Sequence, residues 1–151
     1  MGVEDIDRVL ELAGESAEAP RWARRDYEQM LGGPAAALLI RFSVVASCGD
    51  CLAGFAVASW VWQESSAEVE GLVVQGEFRR RGIGSALLGA CMAWAAQVGA
   101  SMLRLEVRAS NAAAFSLYQR HGFSIAGVRR GDYSAPVEDA LLLQAPLAPK
   151  G

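Results

Sequence analysis

"EFRRRGIGSALL", residues 77–88, sets three consecutive arginines against a Gly-x-Gly, and an apolar helical pattern starts at once. Upstream, "AEVEGLVV", residues 67–74, reads as a strand, and Gly71 inside it predicts a bulge or a close backbone approach. Downstream, Ile83, Leu87, Ala90, Cys91, Trp94 and Val98 recur at three and four residues, an amphipathic helix that ends near Gly99. A strand that turns on glycines into a helix gathers backbone N–H groups at one point. Gly82 and Gly84 permit a tight turn, and the first turn of the helix has N–H groups without partners and the positive end of the dipole. Anions bind at such ends, and Arg79, Arg80 and Arg81 add positive charge. Two readings stand: a loop for a phosphate-bearing ligand, or a solvated basic turn with helix-starting glycines.

Three rivals fail on residues. A nucleoside-triphosphate loop ends in Gly-Lys-Ser/Thr, which is missing here. A dinucleotide fingerprint needs a third glycine where Leu87 stands, and it favours an early strand. A nuclear-localisation run has about five or more basic residues, and this one has three.

The pattern continues on both sides. Val3, Ile6, Val9, Leu10 and Ala13 predict a first helix, and "RWARRDYEQML" a second one over 21–31. Residues 36–46 and 51–63 read as strands joined by a hairpin. Residues 102–107 form a strand, "SNAAAFSLYQRHG" a helix with good cap residues, "FSIAGVRR" a strand and "DALLLQAPL" the last strand, with Tyr133 to Pro136 in a loop between them. The order predicts a single mixed α/β domain over 1–151: a mostly antiparallel sheet with a central parallel strand-helix-strand unit and helices on both faces.

The 151 residues are 52% hydrophobic with a formal net charge of −3. That is enough to bury a real core, and the acidic balance argues against direct nucleic-acid binding. The opening "MGVEDIDRVLEL" has no secretory pattern, and the longest apolar run, residues 51–62, is too short for a bilayer. A cytoplasmic protein with no membrane partner is the expectation. Cys48 and Cys51 flank Gly49-Asp50, a hairpin signal. A structural zinc site needs four ligands, and beyond this pair the chain offers one cysteine and one histidine, so no metal is expected. Reversible oxidation of the pair is a side reading.

Chemistry gathers downstream of the loop. Glu106 falls late in the strand 102–107, Asn111 at the start of the following helix, and Tyr118 two turns along the same helix face. A carboxylate, an amide and a phenol thus converge near the ends of the parallel strands, where open α/β sheets bind ligands.

These segments carry a resemblance. "RRRGIGSALL" resembles the Arg/Gln-x-x-Gly-x-Gly/Ala signature of GNAT N-acetyltransferases, and "LRLEVRASNAAAFSLYQRHGF", residues 103–123, is similar to the matching segment of the RimI-type ribosomal-protein-alanine N-acetyltransferases. The resemblance runs from about Val69 to Arg130 and implies a GNAT fold and acetyl-CoA as the acetyl donor. It implies pyrophosphate binding by Arg79, Arg80, Arg81, Gly82, Ile83, Gly84 and Ser85, and pantetheine contacts from the backbone of Leu72, Val73 and Val74. It implies a cofactor contact at Asn111, a general base at Glu106 and a general acid at Tyr118. The acceptor it implies is a protein N-terminal α-amine; a small-molecule amine such as a polyamine, or a non-catalytic acetyl-CoA-binding module, are the alternatives. RimI-type sequences tend to carry paired tyrosines after the arginine pair. Here Asp132 takes one of those positions and Tyr133 the other, which bears on the acceptor side. Trp22 and Tyr27 read as packing residues near that side, with substrate contact as the alternative. His121 reads as a surface residue at the negative end of a helix.

Overall fold

The computed structural model describes residues 1–15, 23–31, 39–79, 81–134 and 137–148. A 3-10 turn, Val3–Asp5, leads into α1 (Ile6–Glu15), and α2 (Arg24–Leu31) follows. Next come β1 (Leu39–Cys48), β2 (Cys51–Val61), β3 (Ser66–Val74), a 3-10 turn at Gly76–Phe78, α3 (Ile83–Val98), β4 (Met102–Arg108), α4 (Ala112–Arg120), β5 (Ser124–Ser134) and β6 (Val137–Pro146). The helix and strand order is the expected one. Six strands form one sheet in the order β1-β2-β3-β4-β6-β5. Every neighbouring pair is antiparallel except β3–β4, which is parallel with α3 as the crossover.

Alternation along the strands builds two cores. Ala56, Ala58 and Trp60 of β2 face α3 and α4 and pack with Leu87, Leu88, Cys91, Leu103, Leu105 and Leu143. Phe55 and Val57 face the other way and pack with Ile6, Val9, Leu12 and Tyr27 of α1 and α2. Each fully buried leucine or isoleucine contributes about 1.5–3 kcal/mol, so the helices on the two faces are held by the sheet they cover. Tyr27 is fully buried, edge-on to Phe55 with centroids 6.4 Å apart, and serves packing. Trp22 lies outside the described residues.

A bulge in β3 decides what happens at the centre. Val57 pairs Gly71 and Ala58 pairs Val69, which leaves Glu70 as the extra residue. Ala67 and Val69 face α3 before it, and Leu72 and Val74 face α3 after it, while Val73 turns to the α1 side. A regular strand would not put odd and even positions on one face. The β3–β4 ladder has the pairs Ser66–Met102, Ala67–Leu103 and Glu68–Arg104 and ends there. β4 stays on β6 as far as Arg108. The two parallel strands therefore part just past Glu68, next to the bulge.

Several boundaries differ from the expectation. β1 runs on to Cys48, which pairs directly with Cys51, so the turn is Gly49-Asp50 alone and both thiols are free and exposed. Residues 36–38 of the expected first strand are outside the described residues. β2 stops at Val61 because Trp62 and Gln63 turn, Gln63 at φ 72°. Tyr133 and Ser134 belong to β5 and pair Glu138 and Val137 instead of lying in a loop. A register shift between Arg129 and Tyr133 hides that continuation, and Asp139 accepts a hydrogen bond from the Gly131 N–H, at 2.9 Å, inside it. Among the described residues no helix is long and apolar enough to cross a membrane.

Candidate functional site

The glycine turn lies at the mouth of the gap between β3 and β4. Gly82 caps α3 at φ 80°, a left-handed conformation that favours glycine. A Cβ there would meet nothing within 4 Å, so the space before the helix is open. Gly84 acts through packing instead. A Cβ on it would stand 3.1 Å from Leu117 Cδ2, so its absence lets α3 lie close to α4. The Ala86 N–H donates to the Gly82 carbonyl at 3.0 Å, the first bond of the helix. The N–H groups of Ile83, Gly84 and Ser85 precede it and face the open end. Arg79, exposed, holds its Nε 3.4 Å from the Val74 carbonyl. Arg81, also exposed, lies over the Phe78 ring at 5.4 Å. Arg80 lies outside the described residues.

His121 departs from the surface reading. It caps the C-terminal end of α4, is half-buried, and holds Nε2 3.0 Å from Ser85 Oγ. The sequence offers no signal for this contact, because it joins residues 36 apart at the ends of two different helices.

On the other side of the gap, β4 alternates strictly. Leu103, Leu105 and Val107 are buried toward α3 and α4, and Arg104 and Glu106 project from the opposite face. Glu106 Oε1 forms an ion pair with Arg129 Nη1 at 2.7 Å; the two side chains are 36% and 59% exposed. Arg129 belongs to β5, two strands away, and no local pattern in the sequence marks it. Arg108 is engaged elsewhere, 3.7 Å from the Glu138 carboxylate that also accepts from Ser110 Oγ. Asn111 is the N-cap of α4, its Oδ1 accepting from the Ala114 N–H at 3.1 Å, which leaves its amide N–H groups outside the capping bond. Tyr118 is buried on the α3 side with Phe123, ring centroids 5.7 Å apart. Glu106 thus projects from the face of β4 away from α3, and Tyr118 of α4 packs into the core on the α3 face.

Leu72, Val73 and Val74 form the stretch of β3 beyond the end of the β4 ladder. A strand that has lost its neighbour on one side presents N–H and C=O groups there. Cys91, in the core under α3, has its thiol pushed up to about 12 by burial, so it stays protonated and unreactive at neutral pH. Among the described residues no three His, Cys, Asp or Glu side chains group as metal ligands.

The chain that carries this arrangement has known relatives. The acetyltransferase (GNAT) family profile matches residues 6–123. A ribosomal protein bS18-alanine N-acetyltransferase of Salmonella typhimurium is 39% identical over 101 residues, 66% of this chain and 67% of that one. A Bacillus subtilis protein provisionally named for the same activity is 31% identical over 143 residues, 95% of this chain and 90% of the other. Among solved structures, the ribosomal-protein-S18-alanine N-acetyltransferase of Escherichia coli superposes with a TM-score of 0.79 at 27% identity, covering 100% of this chain and 93% of that one. The fold, the family match and these relatives agree, and the chain belongs to the GNAT family of acetyltransferases, enzymes that transfer an acyl group.

Proposed function

We propose that residues 1–151 form one acetyltransferase domain that moves an acetyl group from acetyl-CoA to a protein N-terminal α-amine. The observation that carries the reading is the parting of β3 from β4 at Glu68–Arg104, with the α3 glycine turn at its mouth and Glu106 beside it. Acetyl-CoA supplies the acetyl as a thioester. The N–H groups of Ile83, Gly84 and Ser85, with Arg79, Arg80 and Arg81, suit its pyrophosphate. The open backbone edge along Leu72, Val73 and Val74 suits the amides of the pantetheine arm, and a backbone N–H near Val73 polarises the reacting carbonyl. Asn111 adds an amide donor.

Proton transfer falls to two side chains. Glu106 takes the proton of the attacking amine, directly or through a water, and Tyr118 gives its phenolic proton to the departing thiolate. The work asked of Glu106 depends on the acceptor. An α-amine of pKa about 8 is roughly 10% neutral at pH 7, and a lysine amine of pKa about 10.4 roughly 0.04%. A single carboxylate is better matched to the first. The bS18-alanine relatives favour the same acceptor class and suggest alanine as the first residue.

The test is a panel of N-terminal peptides, one beginning with alanine, set beside free amino acids and polyamines, with acetyl-CoA as donor. Transfer to the α-amine of peptides is expected. Transfer to polyamines or amino acids alone would overturn the acceptor. Glu106→Gln is expected to lower kcat/KM by about 10²–10⁴, and Tyr118→Phe by a smaller factor. Parent rates in both variants would remove both assignments.

A further inference from the structure

We propose that Arg129 is the positioning residue for Glu106, holding one carboxylate oxygen so that the other faces the incoming amine. The inference rests on the reading of Glu106 as the base. It stands on the ion pair from Arg129 Nη1 to Glu106 Oε1 at 2.7 Å.

The register explains how the guanidinium gets there. Glu106, Leu142 and Gly127 lie in one row across β4, β6 and β5, and Arg108, Ala140 and Arg129 in the next row but one. Arg129 therefore reaches Glu106 on the diagonal, across Leu142 of β6. Gly127, two residues before Arg129 on the same face, has no side chain in the way. A Cβ there would stand 3.3 Å from Leu142 Cδ1, so a larger residue would crowd the path.

Two of the other charged groups nearby have partners of their own. Arg108 is held against Glu138, with side chains 13% and 16% exposed. Glu70 on β3 pairs with Arg41 of β1 at 3.0 Å. Among the described residues, Arg129 is the cation that meets the Glu106 carboxylate.

The recorded contact is through Oε1, and Oε2 is the oxygen assigned to take the proton. A glutamate side chain that is more than a third exposed samples several rotamers, and a base must be placed within hydrogen-bond reach before it acts. An ion pair to a strand residue narrows that choice. An ion pair this exposed adds little to folding stability, so its consequence belongs to the geometry of the carboxylate.

Steady-state kinetics of Arg129→Gln, Arg129→Lys, Glu106→Gln and the Glu106→Gln/Arg129→Gln double variant decide the matter, with acetyl-CoA and an alanine-first peptide. Arg129→Gln is expected to lower kcat about three- to tenfold, with unchanged KM for acetyl-CoA and an unchanged melting temperature. Arg129→Lys restores part of the rate. In the Glu106→Gln background, Arg129→Gln costs nothing further, because the group it positions is gone. Parent kcat in Arg129→Gln with a slow Glu106→Gln overturns the positioning role and leaves the base intact. Parent kcat in Glu106→Gln overturns the base first, and the positioning role with it.

Discussion

His121, at the C-terminal end of α4, holds its Nε2 3.0 Å from Ser85 Oγ in the first turn of α3. The contact ties the helix that follows β4 to the turn assigned to the pyrophosphate. His121→Ala frees the Ser85 hydroxyl to rotate. One hydrogen bond contributes about 0.5–1.5 kcal/mol, so KM for acetyl-CoA should rise about three- to tenfold. S-acetylpantetheine has no pyrophosphate, and its KM should not move. Equal effects on both donors would mean that His121 supports α4 in general and not the loop.

Gly54 of β2 lies beneath the strand assigned to the pantetheine arm. A Cβ there would stand 2.6 Å from the Val73 carbonyl oxygen and 3.1 Å from Leu87 Cδ1. The first is backbone and cannot turn aside, so Gly54→Ala must push β3. Overpacking of this kind costs about 1–3 kcal/mol, or roughly 2–12 °C in a chain of this size. The same shift moves Leu72 to Val74, so acetyl-CoA binding should weaken as well. Thermal melts with and without acetyl-CoA measure both, and a variant with parent values in each would show that β3 has room.

Burial of Cys91 makes stability depend on alkaline pH. Its thiol moves from 9.0 in the open chain to about 12 in the fold. The folded state holds the proton more tightly, so the contribution is complete below about pH 9 and is lost as pH rises toward 12. Tyr27, raised first by burial and then by the charge of Asp26, adds the same sign from about pH 10 upward. The unfolding free energy from urea titrations should therefore fall above pH 9, by up to about 1.4 kcal/mol per pH unit for each group. Cys91→Ala is less stable at neutral pH but should lose less between pH 9 and 11. A thiol reagent should label Cys48 and Cys51 quickly at pH 8 and Cys91 only after denaturation.

The elements are legible in the sequence because their apolar periods are clean: Ile83 to Val98 at helical spacing, and Met102 to Val107 in strict alternation. Gly82 and Gly84 are legible as a turn, and the structure separates their roles into a left-handed φ and a close helix approach. What stays hidden depends on register. The Arg129–Glu106 pair joins strands that are neighbours only through β6, and β5 carries two register shifts that no local pattern announces. Tyr133 to Pro136 read as a loop, yet after an irregular stretch where the Gly131 N–H bonds Asp139 the pairing resumes at Tyr133 and Ser134. The contact of His121 is hidden for the same reason: its partner Ser85 comes close only after α3 and α4 have packed.

Glu70 offers the sharpest test of what opens the gap. As the unpaired residue of the β3 bulge, it sits between Val69 and Gly71 without a partner on β2. Removing it leaves Ala67, Val69, Leu72 and Val74 on the α3 face and Val73 on the α1 face, now in regular alternation. The core is preserved, and the loss of the exposed Arg41–Glu70 pair costs under about 1 kcal/mol. The strand itself straightens, and the β3–β4 ladder is free to continue past Glu68–Arg104. The single-residue deletion should therefore fold cooperatively and fail to bind acetyl-CoA in calorimetry. Glu70→Ala, which keeps the extra residue, should bind at near-parent affinity. A deletion variant that folds and binds acetyl-CoA as the parent does would show that the strands part for a reason other than the bulge.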